Sequence, residues 1–253
     1  MIFGDKFSFA IESEVVSSSS MLFWGKICLW VDNKQVGRYE QTLLGLAAVD
    51  LKRTLRFSGR RDLDNLLTRS SGKVLETIHD ALYGGDVEEL SERQIAELFN
   101  KYRSFDVTPH ACEEFDGVFI VLLESSNSQK VIWQEYQQTV HEKDLSSGTY
   151  EQVVEQFLDW FYIQRGIDPQ TNFVWGSSFV FLGNLQKLRL KKISSELSEL
   201  GGSVVTRLSI ETDYVIVGSN GESSQRMLQE AEQLGAFILA EEDFALKLSA
   251  ITK

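Results

Sequence analysis

Paired carboxylates are plentiful along this chain, among them Glu12 with Glu14, Glu88 with Glu89, Glu113 with Glu114, and Glu241 with Glu242. Acid–base catalysis needs two carboxyls facing one substrate. Neighbouring residues of a strand project to opposite faces, which disfavours 88/89 and 113/114. Residues two apart project to the same face, so Glu12 and Glu14 could form a dyad. The pair also reads as a solvated hairpin face, or as an acidic strip for a basic ligand. A second cluster is basic: Lys187, Arg189, Lys191 and Lys192 stand at the expected start of a helix. At helical spacing Lys187 shares a face with Lys191, and Arg189 with Lys192. Cations near a helix N-terminus suit a phosphate, and the alternative is a solvated helix face.

The remaining reactive residue types are scattered. His79, His110 and His141 are far from one another and from either cysteine, so a metal site would need long-range assembly. They read as surface or capping residues. Cys28 and Cys112 read as reduced packing residues rather than a disulfide or a nucleophile. The chain has no Gly-x-Ser-x-Gly elbow, no phosphate loop ending in Gly-Lys-Ser/Thr and no Gly-x-Gly-x-x-Gly turn. Gly218-Ser-Asn-Gly221 lacks the lysine of a phosphate loop and reads as a turn. No catalytic residue, metal or cofactor is expected.

The elements that must position these residues fall into two sets. Phe7, Phe9 and Ile11 alternate with polar residues over 6–15, and 21–31 reads as a more buried strand, giving a hairpin across the Ser17–Ser20 run. Asp32-Asn33-Lys34-Gln35 is a turn, with a short strand at 36–40. Helical spacing follows over 41–57, broken at Gly59-Arg60-Arg61, and over 62–82 with an interruption near 70–72. Gly84-Gly85 ends that helix. Ser91 with Gln94 and Thr149 with Gln152 read as capping boxes opening further helices. Between them lie strands at 117–124 and 129–136 and an edge strand at 137–142. This first part is α+β, with antiparallel hairpins and helices, over residues 1–168. Residues 169–177, with Pro169, read as a linker. Residues 178–253 then run strand, helix, strand, strand, helix, strand, helix, the order of an α/β domain.

The formal net charge is −12, with 43% hydrophobic residues, enough for a packed core. Residues 1–175 carry 17 Lys and Arg against 27 Asp and Glu, and residues 176–253 carry 8 against 10. The acidic first part disfavours general nucleic-acid affinity and would suit a basic partner, or serve solubility alone. The chain begins without a basic segment followed by an apolar run, and no window approaches 18 apolar residues, so a cytoplasmic location is expected.

Residues 178–248 resemble a BRCT domain of the kind found at the end of bacterial NAD-dependent DNA ligases, which implies an α/β domain with a four-stranded parallel sheet flanked by helices. The carrying residues are Phe179-Val180-Phe181, Gly183, Leu200-Gly201-Gly202, Val204-Val205, Thr212-Asp213-Tyr214 leading into Val215 and Gly218, Ala231, Leu234-Gly235, and Ile238 to Phe244. The chain departs from that pattern where phosphate is bound. Leu182 stands at the usual Thr or Ser, Met227 beside Arg226 at the usual Lys, and Phe244 at the Trp of the last helix. The resemblance therefore implies DNA-end or protein docking more than phosphoserine reading. The ligase Lys-x-Asp-Gly motif is missing from the chain.

Residues 1–165 resemble immunity protein family 42 of bacterial polymorphic toxin systems. They do so through Ile2-Phe3-Gly4-Asp5, Phe9-Ala10-Ile11-Glu12, 25–30, Gly37, Tyr39-Glu40, Phe115-Asp116, Ile132-Trp133, Gly148-Thr149-Tyr150 and 157–160. This resemblance implies a non-enzymatic protein that binds and neutralises a cognate toxin. A basic toxin would match the acidic balance. Candidate contacts are Glu12, Glu14, Asp32, Glu40 and Asp116, and candidate phosphate or DNA contacts are Lys187, Arg189, Lys191 and Lys192. The alternative is a DNA-maintenance accessory protein whose BRCT domain holds DNA ends or repair partners. A third reading is a hydrolase using Glu12 and Glu14.

Overall fold

The computed structural model describes residues 1–18, 22–62, 64–84, 90–136, 138–168, 171–218 and 225–251. The expected features at Ser19-Ser20, Gly85, Glu88/Glu89, Pro169 and 219–221 lie outside the described residues. The chain divides into two compact units, Met1–Phe161 and Tyr162–Lys253.

The first unit opens with β1 (Ile2–Gly4), β2 (Phe9–Ser18), β3 (Phe23–Val31), β4 (Lys34–Val36) and β5 (Gln41–Leu43). They form one antiparallel sheet in the order β1-β2-β3-β4, with β5 also paired to β3. Phe7 is exposed and precedes β2, whereas Phe9, Ile11 and Ser13 are buried at period two. The expected four-residue turn is only two residues long. Asp32 and Asn33 both take left-handed backbone (φ 52° and 58°), as tight hairpins require, and Lys34 and Gln35 already belong to β4.

α1 (Leu44–Thr54) starts three residues later than its apolar spacing suggested, because Gln41, Thr42 and Leu43 pair with Lys26, Gly25 and Trp24. α2 (Asp64–Leu67) and α3 (Ser71–Tyr83) follow with the expected interruption, and α4 (Glu92–Tyr102) opens on the Ser91–Gln94 capping box. β6 (Val118–Glu124), β7 (Ser128–Glu135) and β8 (His141–Ser146) make a second antiparallel sheet in that order. α5 (Thr149–Arg165) takes Thr149 as its first helical residue, so the expected Thr149 cap is not the cap position. Gln152 N–H instead donates to the carbonyl of Gly148.

Two apolar cores hold this unit together. Leu66, Val74, Leu75, Ile78, Tyr102 and Phe105 pack on Val121, Leu123 and Ile132 of the second sheet. Phe157 and Phe161 of α5 meet Phe3 and Phe23 of the first sheet edge-on, with ring centroids 5.9 and 5.4 Å apart. A fully buried cation, Arg61, joins the parts. Its guanidinium donates to Glu124 of β6 at 2.7 Å, to Glu151 of α5 at 3.2 Å, to the Ser104 carbonyl at 2.8 Å and to the Thr54 carbonyl of α1. Burying an arginine is tolerable only when its donors are met in this way.

The second unit contains β9 (Ser178–Leu182), α6 (Leu190–Glu199), β10 (Ser203–Val204), β11 (Tyr214–Val217), α7 (Gln225–Gln233), β12 (Phe237–Ala240) and α8 (Glu241–Ile251). The sheet order is β10-β9-β11-β12, all parallel, as the BRCT resemblance implied. One face packs Phe179 and Ile216 against Ile193, Leu197, Phe244 and Leu248, and the other packs Val180 and Val215 against Ala231. Phe244 fills the space between Phe179 and Phe181. The double glycine after α6 has a physical role. Gly201 takes φ 81°, and a Cβ on Gly202 would meet Val174 Cγ1 at 2.8 Å and Phe179 Cε2 at 3.2 Å. Residues 171–177, part of the expected linker, form turns, and Val174 is buried in this unit's core.

Candidate functional site

The Glu12/Glu14 pair does lie on one face of β2, opposite Cys28 and Lys26 of β3. Each carboxylate is committed to its own cation. Glu12 Oε2 accepts from Lys6 Nζ at 2.5 Å and from Trp30 Nε1 at 2.8 Å, and Lys6 Nζ sits 3.7 Å over the Trp30 ring. Glu14 pairs with Lys26 at 2.8 Å. The Lys6 hydrogen bond holds the Glu12 carboxyl below its ordinary value against the opposing effect of burial. An ionised, paired carboxylate is a poor general acid, so this geometry does not form an acid–base dyad. Burial beside Glu12 pushes the Cys28 thiol up to about 12, and burial likewise pushes the Cys112 thiol up to about 12, so both cysteines are inert thiols.

Asp32 sits in the β3–β4 turn and accepts from Lys143 of β8 at 2.6 Å, which depresses its carboxyl. Glu40 and Asp116 are exposed in loops. The five acids therefore do not converge on one built site. Glu12 and Glu14 share the β2 face, and the others stand in separate turns.

The basic cluster also differs from its expected form. α6 begins at Leu190, with Arg189 as its cap residue, so Lys187 precedes the helix and shares no helical face with Lys191. All four cations are exposed, and Lys187 pairs with Glu242 at 3.4 Å and Lys192 with Glu196 at 3.2 Å. The backbone N–H groups of Gln186, Lys187 and Leu188 all donate to the buried Glu241 carboxylate, at 2.9, 2.6 and 2.8 Å. Burial raises the Glu241 carboxyl, but those three hydrogen bonds outweigh it and leave it below its ordinary value. The donors that would cradle a phosphate at this loop already hold an internal anion.

A built concave site lies elsewhere in the first unit. A groove of about 850 Å³ runs between α3 and strands β6 and β7. Its aromatic wall is formed by His79 and Tyr83, one turn apart on α3, with His110, Phe119 and Tyr136. His79 meets Phe119 edge-on at 5.5 Å, and Tyr83 meets it at 5.9 Å. Tyr83 is the last residue of α3. Its hydroxyl donates to Asp106 Oδ2 at 2.5 Å and lies 2.9 Å from His110 Nε2, which is itself 2.7 Å from Asp106. Burial lowers the His110 basicity, but its bond to Asp106 and the charges of Asp106 and Asp50 prevail and raise it above 6.5. Burial and Asp106 push the Tyr83 phenol far up, so it stays a neutral donor. Asp50 accepts from Ala111 N–H at 2.7 Å and so fixes the loop that presents His110.

The groove also carries a strained residue. Tyr136 follows β7 with φ 45°, a conformation a non-glycine residue rarely adopts, and its N–H donates to the Gly117 carbonyl at 2.7 Å. A Cβ on Gly117 would fall 2.2 Å from the Tyr136 ring, so glycine there makes room for the aromatic wall. Sequence reading missed this groove because its residues come from four separate segments. The four-residue spacing of His79 and Tyr83 was the one local signal. Among the described residues no group of three or more His, Cys, Asp or Glu is placed to hold a metal ion.

Fold and site define an α+β module carrying an aromatic groove, followed by a doubly wound parallel α/β module. The chain belongs to the family Immunity protein 42, which matches residues 1–160. Residues 170–245 match the BRCA1 C Terminus (BRCT) domain. Among solved structures, CdiI from Burkholderia dolosa AUO158 shares the fold of the first module. Its TM-score is 0.51 at 20% identity, covering 63% of this chain and 99% of that one. Among curated proteins, a DNA ligase of Prochlorococcus marinus is 23% identical over 204 residues, covering 75% of this chain and 27% of the ligase. A DNA ligase of Christiangramia forsetii is 35% identical over 75 residues, covering 30% of this chain and 11% of the ligase. The chain thus spans about a quarter or less of the length of these ligases.

Proposed function

We propose that this chain is a non-enzymatic immunity protein that binds a cognate bacterial toxin in the cytoplasm and blocks it, with the BRCT domain as an auxiliary docking module. The observation that carries this reading is the family match over residues 1–160, joined to a first module whose fold is shared with CdiI. The acidic balance favours a basic toxin and would speed its capture. Glu40 and Asp116 are the exposed acids offered to such a partner. Glu12, Glu14 and Asp32 already pair with Lys6, Lys26 and Lys143, which would compete with a partner's cations.

The test is growth protection. A candidate toxin domain, taken from a neighbouring gene where one is found or captured with the full chain from lysate, is expressed in a sensitive host, with and without the full chain. Restored growth together with a co-purifying complex supports the reading. Unrelieved killing and no complex overturn it.

A second reading, a DNA-maintenance accessory protein, draws on the BRCT match and on exposed Arg189 and Lys191. The Glu241 carboxylate at the 186–188 amides weighs against phosphate binding at that loop. Salt-sensitive binding of a 5′-phosphorylated duplex would revive it.

A further inference from the structure

The α3/β6/β7 groove has the features of a recognition pocket with a definite charge preference. Among the described residues its lining holds two carboxylates, Glu76 and Asp80, with the histidines His79 and His110 and neither lysine nor arginine. Glu76 is shared with Lys73 at 2.7 Å, and Asp80 lies 3.8 Å from His79. Tyr83 and Tyr136 are 51% and 60% exposed although both are held rigidly, one by Asp106 and the other by its left-handed backbone over Gly117. Rigid exposed aromatics lose little side-chain entropy on contact and are the usual anchors of protein interfaces. Backbone strain held at a surface residue is a mark of a functional site. Aromatic faces beside carboxylates attract a cation twice over, through ring quadrupoles and through charge.

We propose that this groove receives an arginine or lysine side chain of the partner protein, the cation lying against the rings of Tyr83 and Tyr136 with its charge met by Asp80. The partner's identity as a toxin rests on the immunity reading; the chemistry of the groove does not. An aliphatic stem would lie along Phe119 and Val140, and the charged head would sit at the acidic rim.

The test uses the full chain, labelled with nitrogen-15, and two probes: acetyl-Gly-Gly-Arg-Gly-Gly-amide and its Glu counterpart. Amide and aromatic resonances are followed during titration. The expected result is saturating shifts at Tyr83, Phe119 and Tyr136 with the Arg peptide only. Tyr136→Asn should weaken that binding about five-fold through loss of the ring. Asp80→Asn should weaken it about two-fold, as expected for an exposed charge. Asn tolerates left-handed backbone, so Tyr136→Asn removes the ring without straining the fold. Asp80 is half-exposed, so its variant leaves packing alone.

Equal response to both peptides, shifts confined to other surfaces, or unchanged affinity in both variants overturns the proposal. The two readings fail separately. Protection against the toxin without Arg-peptide binding sinks the groove alone. Arg-peptide binding without protection sinks the immunity reading alone.

Discussion

Replacing Arg61 with methionine should unfold the first unit at markedly milder conditions than the wild type. The side chain is fully buried and donates to two carboxylates and two main-chain carbonyls drawn from α1, β6, α5 and the turn after α4. Methionine fills most of the volume but supplies no donor. Glu124 keeps the Gly59 and Arg61 amides, and Glu151 keeps Gln129 Nε2 at 2.6 Å. Neither then has a counter-charge from residue 61. Removing one partner of a buried ion pair costs about 3–5 kcal/mol. For a unit the size of Met1–Phe161 that corresponds to a drop in Tm of about 8–15 °C.

The chain has two units, so a single global transition is not assured. Hydrogen exchange of the α5 and β6 peptides under increasing urea therefore reads the right unit. Arg61→Lys keeps the charge without the planar fork and should fall between the two. Adding Glu124→Leu and Glu151→Met to Arg61→Met should recover part of the loss, since a fully apolar replacement has no orphaned charge. A loss below about 1 kcal/mol in Arg61→Met would refute the reasoning that this cation joins the parts of the unit.

Other outcomes follow from the same physics. Glu241→Gln should loosen the loop before α6 and cost the second unit about 2 kcal/mol at neutral pH, measured by urea titration. Because the Glu241 carboxyl is depressed, its contribution is present above the ordinary value of 4.5 and is lost as the pH falls through the lower folded-state value. Wild type and Glu241→Gln should therefore converge in stability in acid. Glu12→Gln, which breaks the partly buried Lys6–Glu12 pair, should cost about 1 kcal/mol at neutral pH and almost nothing in acid, since the Glu12 carboxyl is also depressed. Gly202→Ala should destabilise the second unit by about 1–3 kcal/mol, because the added methyl meets Val174 and Phe179; a thermal scan matching wild type would contradict that packing.

Local signals carried the second unit almost whole. Its breaks are marked by glycine or a turn, so the element order could be read from the residues, whereas the parallel pairing was legible through the BRCT resemblance. The Ser91–Gln94 capping box was legible because both partners lie within one turn. Thr149–Gln152 has the same letters, yet the helix takes Thr149 into its first turn, as Gly148 supplies the positive φ that precedes it.

The site was much less legible. Glu12 and Glu14 share a face as strand periodicity requires, but Lys6, Lys26 and Trp30, which occupy them, are set by tertiary register. Arg61 read only as part of the helix break at Gly59-Arg60-Arg61, and the structure makes it a core residue. Only the arrival of Glu124 and Glu151, 63 and 90 positions on, makes its burial tolerable. The groove needs α3, the loop at His110, and the ends of β6 and β7 at once. No window of the chain contains more than two of its rings at recognisable spacing.

The most direct measurement of the central claim is titration of the full chain with the purified toxin domain that it protects against, at low and at physiological salt. The account predicts a one-to-one complex whose association slows as salt rises, with toxin activity abolished at stoichiometry. Absence of any complex at concentrations of about 10 μM, with the toxin still fully active, would contradict it.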